Sequence, residues 1–263
     1  MEQVKAIVLR AAGINCDVET EFALQSAGAL AERIHINRLM EDAGILGDYQ
    51  ILVLPGGFSY GDDVGAGKIL ANQIVHHLAP AIRKFIDDGK LVLGICNGFQ
   101  VLVKTGILPG IGEGKISTKN QPVSITNNDS GKFEDRWVYL QPSSQRCVFI
   151  NASRRIYLPI AHGEGKVVTR DAQTLEQLKS GGYIAFRYVD ADGNQGPFPI
   201  NPNGAVDSIA ALTDSTGRVL GLMPHPERFV HRTQHPRWTR MQNGDPDGMT
   251  IFDNAVGYVR ENL

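Results

Sequence analysis

The sequence predicts an α/β fold: a mostly parallel central sheet flanked by helices, with an antiparallel β excursion in the second half. Three observations predict it. Short β-type runs alternate with longer helical patterns as far as Gly106. Two of those runs, QILVLPGG (50–57) and KLVLGI (90–95), are unbroken by polar residues after their first position, as strands covered on both faces of a parallel sheet are. After Gly106 the texture changes to stretches rich in Thr, Ser and Asn with β-branched runs, which suits antiparallel strands. No repeat, low-complexity tract or linker interrupts the chain, so residues 1–263 read as a single domain.

Each element has its own signal. KAIVLR (5–10) reads as the first strand, DVETEFALQSAGA (17–29) as a helix and RIHIN (33–37) as a second strand. The apolar run at 50–57 is the third strand, stopped by Pro55 and two glycines. KILANQIVHHLAPAIRKFIDDG (68–89) has helical spacing and closes at Gly89, with Pro80 expected to kink or split it. KLVLGI gives a fourth strand and NGFQVLVKTG (97–106) a helix. In 115–170, VSIT and CVFI suggest strands, and IYLPI precedes AHGEG as another. DAQTLEQLKSG (171–181) is a short helix, and IAFRYVDADGNQG resembles a hairpin turning at DADGN. SIAALTDSTGRVLGLMPHPE reads as two strands around DSTG, and DGMTIFDNAVGYVREN (247–262) as the last helix.

Composition excludes several function classes. With 42% hydrophobic and 21% charged residues, the 263-residue chain can bury a sizeable core without disulfides or metal. A net charge of −2 gives no general attraction to nucleic acid or to an anionic membrane. The three cysteines, Cys16, Cys96 and Cys147, are odd in number and far apart, which fits neither a disulfide framework nor a zinc knuckle and suits a reducing, cytoplasmic setting. The N-terminal apolar run is too short for a signal peptide, and no segment approaches the ~20 apolar residues that span a bilayer.

PGGFSYGDDVGAGK (55–68) invites a nucleotide reading that its details defeat. Asp62 stands where a phosphate loop needs glycine, Ile69 replaces the magnesium-binding Ser or Thr, and Leu70 replaces the third glycine of a dinucleotide fingerprint. Asp62 and Asp63 would also repel phosphate. What remains is a turn at the C-terminal end of a parallel strand, where α/β sheets place ligands. Gly56 and Gly57 either turn an amide outward to hold an oxyanion or simply make a tight turn.

GICNGFQ (94–100) raises a sharper question. Cys96 is either a small buried hydrophobe or a nucleophile. Its GxCxG setting between a buried strand and a helix has the form of a nucleophile elbow, in which a strained turn lifts the central side chain out of the sheet. The helix N-terminus beside it favours a thiolate. A thiolate needs a base and a group that orients the base. In MPHPER, Pro224 and Pro226 hold the chain extended around His225, and Glu227 two residues on points to the same side. The other histidines offer less: His231 and His235 have HxxxH spacing, but Arg232 stands where a zinc protease has Glu and Pro236 disfavours helix, so no metal site is expected. AHGEG (161–165), with His162, reads equally as a ligand loop or a turn.

Together, GICNGFQ, PGGFSYGDDVGAGK, MPHPER, RAAGINCDVET and PIAHGEGK make the chain resemble the class I, triad-type glutamine amidotransferases, which have a flavodoxin-like core. The elbow and HPE are shared across that family. GINCD, GFSYGDD and GICNGFQ resemble its purine-biosynthetic branch, the glutaminase subunits of phosphoribosylformylglycinamidine synthase. The resemblance implies that Cys96 attacks the side-chain amide of L-glutamine, with His225 and Glu227 completing the triad. It implies an oxyanion hole from the backbone amides of Gly57 and Asn97, and substrate contacts from Gly56, Gln100, His162, Gly163 and Glu164.

It also implies partners. The reaction consumes ATP to convert formylglycinamide ribonucleotide to its amidine, yet this chain has no nucleotide loop, so ATP and Mg2+ are expected on a synthetase subunit, with a small accessory subunit by resemblance and no cofactor on this chain. Ammonia freed in water at pH 7 is largely protonated, so it should pass directly to the synthetase, and the isolated subunit should be a poor glutaminase. The segment 228–248 resembles the tail of the glutaminase domain in the large single-chain enzyme; its arginines and Trp238 either meet the synthetase or pack as a solvated tail on their own domain. A class I glutaminase serving another acceptor, and a non-catalytic scaffold that keeps the fold, are the competing function classes; a scaffold would be expected to lose part of the triad, and none is missing. For Cys16 a structural role is the simpler expectation.

Overall fold

The computed structural model describes residues 3–111, 116–240 and 246–263. Eleven strands and seven α-helices follow one another among them: β1 Lys5–Arg10, α1 Asp17–Ser26, β2 Leu30–His35, α2 Ile36–Glu41, β3 Ile51–Leu54, α3 Lys68–Gln73, α4 Ala79–Asp87, β4 Leu91–Ile95, α5 Asn97–Lys104, β5 Val123–Asn127, β6 Glu134–Pro142, β7 Ile156–His162, β8 Glu164–Thr169, α6 Ala172–Ser180, β9 Ile184–Val189, β10 Ile209–Thr213, β11 Val219–Leu222 and α7 Met249–Asn262.

Nine strands form one sheet in the order β2-β1-β3-β4-β11-β10-β9-β6-β7, and β5 pairs with β8 in a separate antiparallel ribbon. From β2 through β11 the neighbours are parallel; from β11 through β7 they are antiparallel. The parallel strands β1, β3, β4 and β11 are buried almost end to end, which is why they read as unbroken apolar runs. Right-handed crossovers that run one way from β1 to β2 and the other way from β3 to β4 put their helices on opposite faces. Accordingly α1 packs beside α7, and α3 beside α5. The buried apolar residues form one contiguous cluster reaching from Val4 to Val259.

The change of direction on either side of β1 creates a crevice at the C-terminal ends of β1 and β3, where such sheets bind ligands. The loops leaving those two strands meet there. Ile14 forms a bridge with Gly57, Phe58 donates its N–H to Gly13 O (2.9 Å), Tyr60 N–H to Ala12 O (2.7 Å) and Cys16 N–H to Gly56 O (3.3 Å).

The structure bears out the expected division of the 68–89 helix and corrects several other local expectations. The helix expected over 68–89 is divided into α3, a wide turn over Ile74–Leu78, and α4, because Pro80 lacks an N–H and takes the first turn of α4, where none is needed. Gly89 follows its C-cap with φ +85°. The second strand begins at Leu30 and ends at His35, whose ring accepts from Asn37 N–H and starts α2. CVFI is a turn and not a strand. DADGN turns as expected, with Asp190 accepting from the amides of Asp192 and Asn194, but no strand returns until β10. Pro197, Pro199 and Pro202 cannot donate to a ladder in between.

Candidate active site

Cys96 stands between β4 and α5 at φ +49°, ψ −104°. The strain of the elbow is therefore carried by the cysteine itself and not by the flanking glycines. Their role is close approach. A Cβ on Gly98 would overlap the Leu54 carbonyl oxygen of β3, and one on Gly94 would lie 2.8 Å from Gly98 O. Without them α5 could not start hard against the strand ends. Cys96 is anchored on both sides: its N–H donates to Leu222 O of β11 (2.8 Å) and its carbonyl accepts from Gln100 N–H (3.0 Å). The thiol lies 3.8 Å from Ala161 O of β7.

Because β4 and β11 are adjacent and parallel, with Ile95 opposite Leu222, their loops emerge side by side. His225 leaves β11 in an extended conformation, and its N–H donates to Pro159 O of β7 (2.8 Å). Pro226–Arg228 then makes a tight helical turn, where the sequence suggested extended chain. Pro226 starts that turn, and Glu227 still folds back onto the imidazole: Nδ1 of His225 and Oε1 of Glu227 share a 2.6 Å hydrogen bond. Both side chains are buried. Burial alone would push the imidazole's pKa down; the Glu227 carboxylate, Cys96 and Cys16 outweigh it and hold His225 well above its ordinary value. The Nε2 atom is buried and makes no hydrogen bond among the described residues.

A cavity of about 460 Å³ opens over the elbow. Gly57, Cys96, Gln100, His162, Gly163 and Glu164 all line it. Gly57 has φ +141°, and a Cβ there would lie 2.7 Å from Asn15 N, so the loop after β1 fixes its orientation. Asn97 contributes the backbone at the start of α5 while its side chain braces the floor: Nδ2 donates to Asp62 Oδ1 (3.1 Å) and Gln100 Oε1 (3.0 Å), and Oδ1 accepts from Ser59 N–H (3.3 Å). Gln100 Nε2 donates to Glu164 O (2.6 Å), tying α5 to β8. Gly56 lies behind this lining, where a Cβ would be 2.8 Å from His225 Cε1.

His162 is held in one tautomer. Asn128 Nδ2 donates to the carbonyls of Lys132 and His162, so Asn128 Oδ1 is an acceptor that takes Gly165 N–H and faces His162 Nδ1 at 3.2 Å. Nδ1 thus carries the proton and the buried Nε2 has a free lone pair. Burial, aided by the His225 charge, pushes this imidazole down to about 3, so it stays neutral.

The family profile described as "CobB/CobQ-like glutamine amidotransferase domain" matches residues 3–259. The chain belongs to that family. This amidotransferase is 46% identical to the phosphoribosylformylglycinamidine synthase subunit PurQ of Dehalococcoides mccartyi, across 99% of this chain and 100% of that one. It is 41% identical to the same-named subunit of Archaeoglobus fulgidus, across 99% and 98%. Among solved structures, a chain of PurLQS from Thermotoga maritima covers 98% of it and is itself covered in full, at 29% identity and a TM-score of 0.71.

Two residues at the amidotransferase site escaped the sequence reading. Asp62, seen there only as repelling phosphate, lines the cavity and accepts from Gly67 N–H as well as from Asn97. Burial, with Glu164 adding to it, raises its pKa against those bonds. Cys16 lies beside His225; no local signal in GINCD shows that this loop reaches the end of β11.

The tail after Glu227 packs on its own sheet as far as it is described. Phe229 and His235 meet Trp137 at 5.1 and 5.0 Å between ring centroids, and Asp247 Oδ2 accepts from Tyr157 N–H (2.8 Å). Trp238 is 44% exposed. Residues 241–245 of the segment lie outside the described residues.

Proposed function

We propose that the chain is the glutamine-hydrolysing subunit of a phosphoribosylformylglycinamidine synthase, working as a single domain over 1–263 in the cytoplasm. The observation that carries the reading is the seating of Cys96 at a strained elbow beside a His225 imidazole oriented by Glu227, in a chain of this family. Cys96 gives its proton to His225 Nε2 and its sulfur attacks the side-chain amide carbon of L-glutamine. The tetrahedral oxyanion is held by the backbone N–H groups of Gly57 and Asn97, each worth roughly 3 kcal/mol in such sites. His225 then protonates the departing nitrogen, which leaves as ammonia, and a γ-glutamyl thioester remains on Cys96. Water attacks the thioester, giving its proton to His225; glutamate leaves and the thiol is restored.

Gln100, His162, Gly163 and Glu164 support substrate binding by their place on the cavity wall. Gly56 serves the site by making room for His225. The ammonia is consumed on a synthetase subunit that carries ATP and Mg2+, with a small accessory subunit completing the assembly. Its direct transfer predicts low glutaminase activity in isolation. Glutamate formation is measured for the chain alone and then with its synthetase subunit, ATP and formylglycinamide ribonucleotide. A large rise on assembly is expected, together with amidine formation that requires Cys96. Glutamine-dependent amidine formation by Cys96→Ala at the wild-type rate would overturn the assignment.

A further inference from the structure

The mechanism leaves one buried thiol beside its imidazole unused. Cys16 is 1% exposed, and its backbone is tied down: N–H to Gly56 O, and carbonyl accepting from Thr20 N–H (3.1 Å) and Thr20 Oγ1 (2.6 Å). Its thiol donates to Asn15 Oδ1 (3.3 Å), and Sγ accepts from Arg228 Nη2 (3.1 Å), whose Nε donates in turn to Glu19 Oε1 (2.9 Å) on α1. Sγ, a ring nitrogen of His225 and a carboxylate oxygen of Glu227 lie within 4.8 Å of one another. The missing side chain of Gly56 provides the shared space: a Cβ there would be 2.8 Å from His225 Cε1 and 3.2 Å from Cys16 Sγ.

We infer that Cys16 is a positioning residue for the amidotransferase reaction: its thiol holds the His225 imidazole in the orientation that serves Cys96, and the Glu19–Arg228 pair holds the thiol. The inference rests on the reading of Cys96, His225 and Glu227 as the triad. An imidazole anchored through Nδ1 alone can still pivot about that bond, and a misplacement near 1 Å can cost about a hundredfold in rate. A fixed sulfur on its flank removes the pivot.

The charged and titratable groups around His225 are Glu227 and Arg228 from its own segment, Cys96 from the β4–α5 elbow, Cys16 from the loop entering α1, and His162 from β7. Burial raises the Cys16 thiol, which therefore stays protonated and offers lone pairs that favour the imidazolium.

The test uses the full chain with its synthetase subunit. Cys16→Ala is expected to lower kcat for glutamate formation about tenfold with KM for glutamine unchanged, and to move the basic limb of the kcat profile to lower pH, since the imidazolium loses the electron-rich sulfur beside it. Cys16→Ser restores most of both. Alkylation of Cys96 by iodoacetamide, followed on its own peptide by mass, should slow in the Ala variant of the isolated chain. Should Cys16→Ala not fold, Glu19→Gln gives a smaller shift in the same direction. An unmoved pH profile and alkylation rate, with or without a change in stability, overturns the inference. Cys96→Ala separates the two readings: glutamine-dependent activity surviving there removes the triad, whereas activity lost there but unmoved by the Cys16 variants removes only this role.

Discussion

Cys96 pays in backbone strain for its place in the site, since a non-glycine residue at φ +49° costs on the order of 1–3 kcal/mol. The sulfur gains a position at the end of β4 that faces both the cavity and His225. His162 shows a second residue held against its ordinary chemistry. Its imidazole is neutral in the folded protein down to about pH 3, while in the unfolded chain it takes a proton near 6.5. Between those values the unfolded state binds the extra proton, so stability falls as pH falls, by up to about 1.4 kcal/mol per pH unit from this group. Urea midpoints at pH 7 and pH 5 should therefore differ less in His162→Asn than in wild type; equal differences would show that the buried imidazole carries no such penalty. At this scale the Cys96 elbow and the His225–Glu227 pairing were legible because the elbow glycines and HPE are local patterns. Cys16 was not, since its meeting with His225 depends on β1 and β11 ending at the same edge of the sheet.

Among the elements, the β4–α5 junction holds Cys96 and is tightly specified. A methyl group on Gly98 would meet the Leu54 carbonyl of β3, and relief requires α5 to move away from the sheet. Gly98→Ala should cost about 1–3 kcal/mol in denaturant unfolding, as overpacked cores do, and should lower kcat because α5 carries Asn97 and Gln100. A variant as stable and active as wild type would mean that the junction is looser than its geometry. The parallel strands and α5 were readable because burial on both faces and helical periodicity are local. CVFI and the return after DADGN were not. β-branched residues in CVFI mark apolar packing that a turn can satisfy as well as a strand, and the prolines between 197 and 202 decide the backbone there.

For the whole molecule, topology does what no single motif could: it brings four loops from distant sequence to one end of the sheet, after β1, β3, β4 and β11, with β7 and β8 closing the cavity from the antiparallel side. The antiparallel half was legible as texture but not as a continuation of the same sheet, because strand partners at such separation leave no mark on local composition. The central claim is that hydrolysis passes through a covalent intermediate on one sulfur. Radiolabelled L-glutamine mixed with the assembled enzyme and quenched in acid during turnover tests it most directly. The account predicts label on the peptide containing Cys96, lost on treatment with hydroxylamine and absent in Cys96→Ala. Label on another residue, or glutamate formed at the full rate with no label on that peptide, would contradict it.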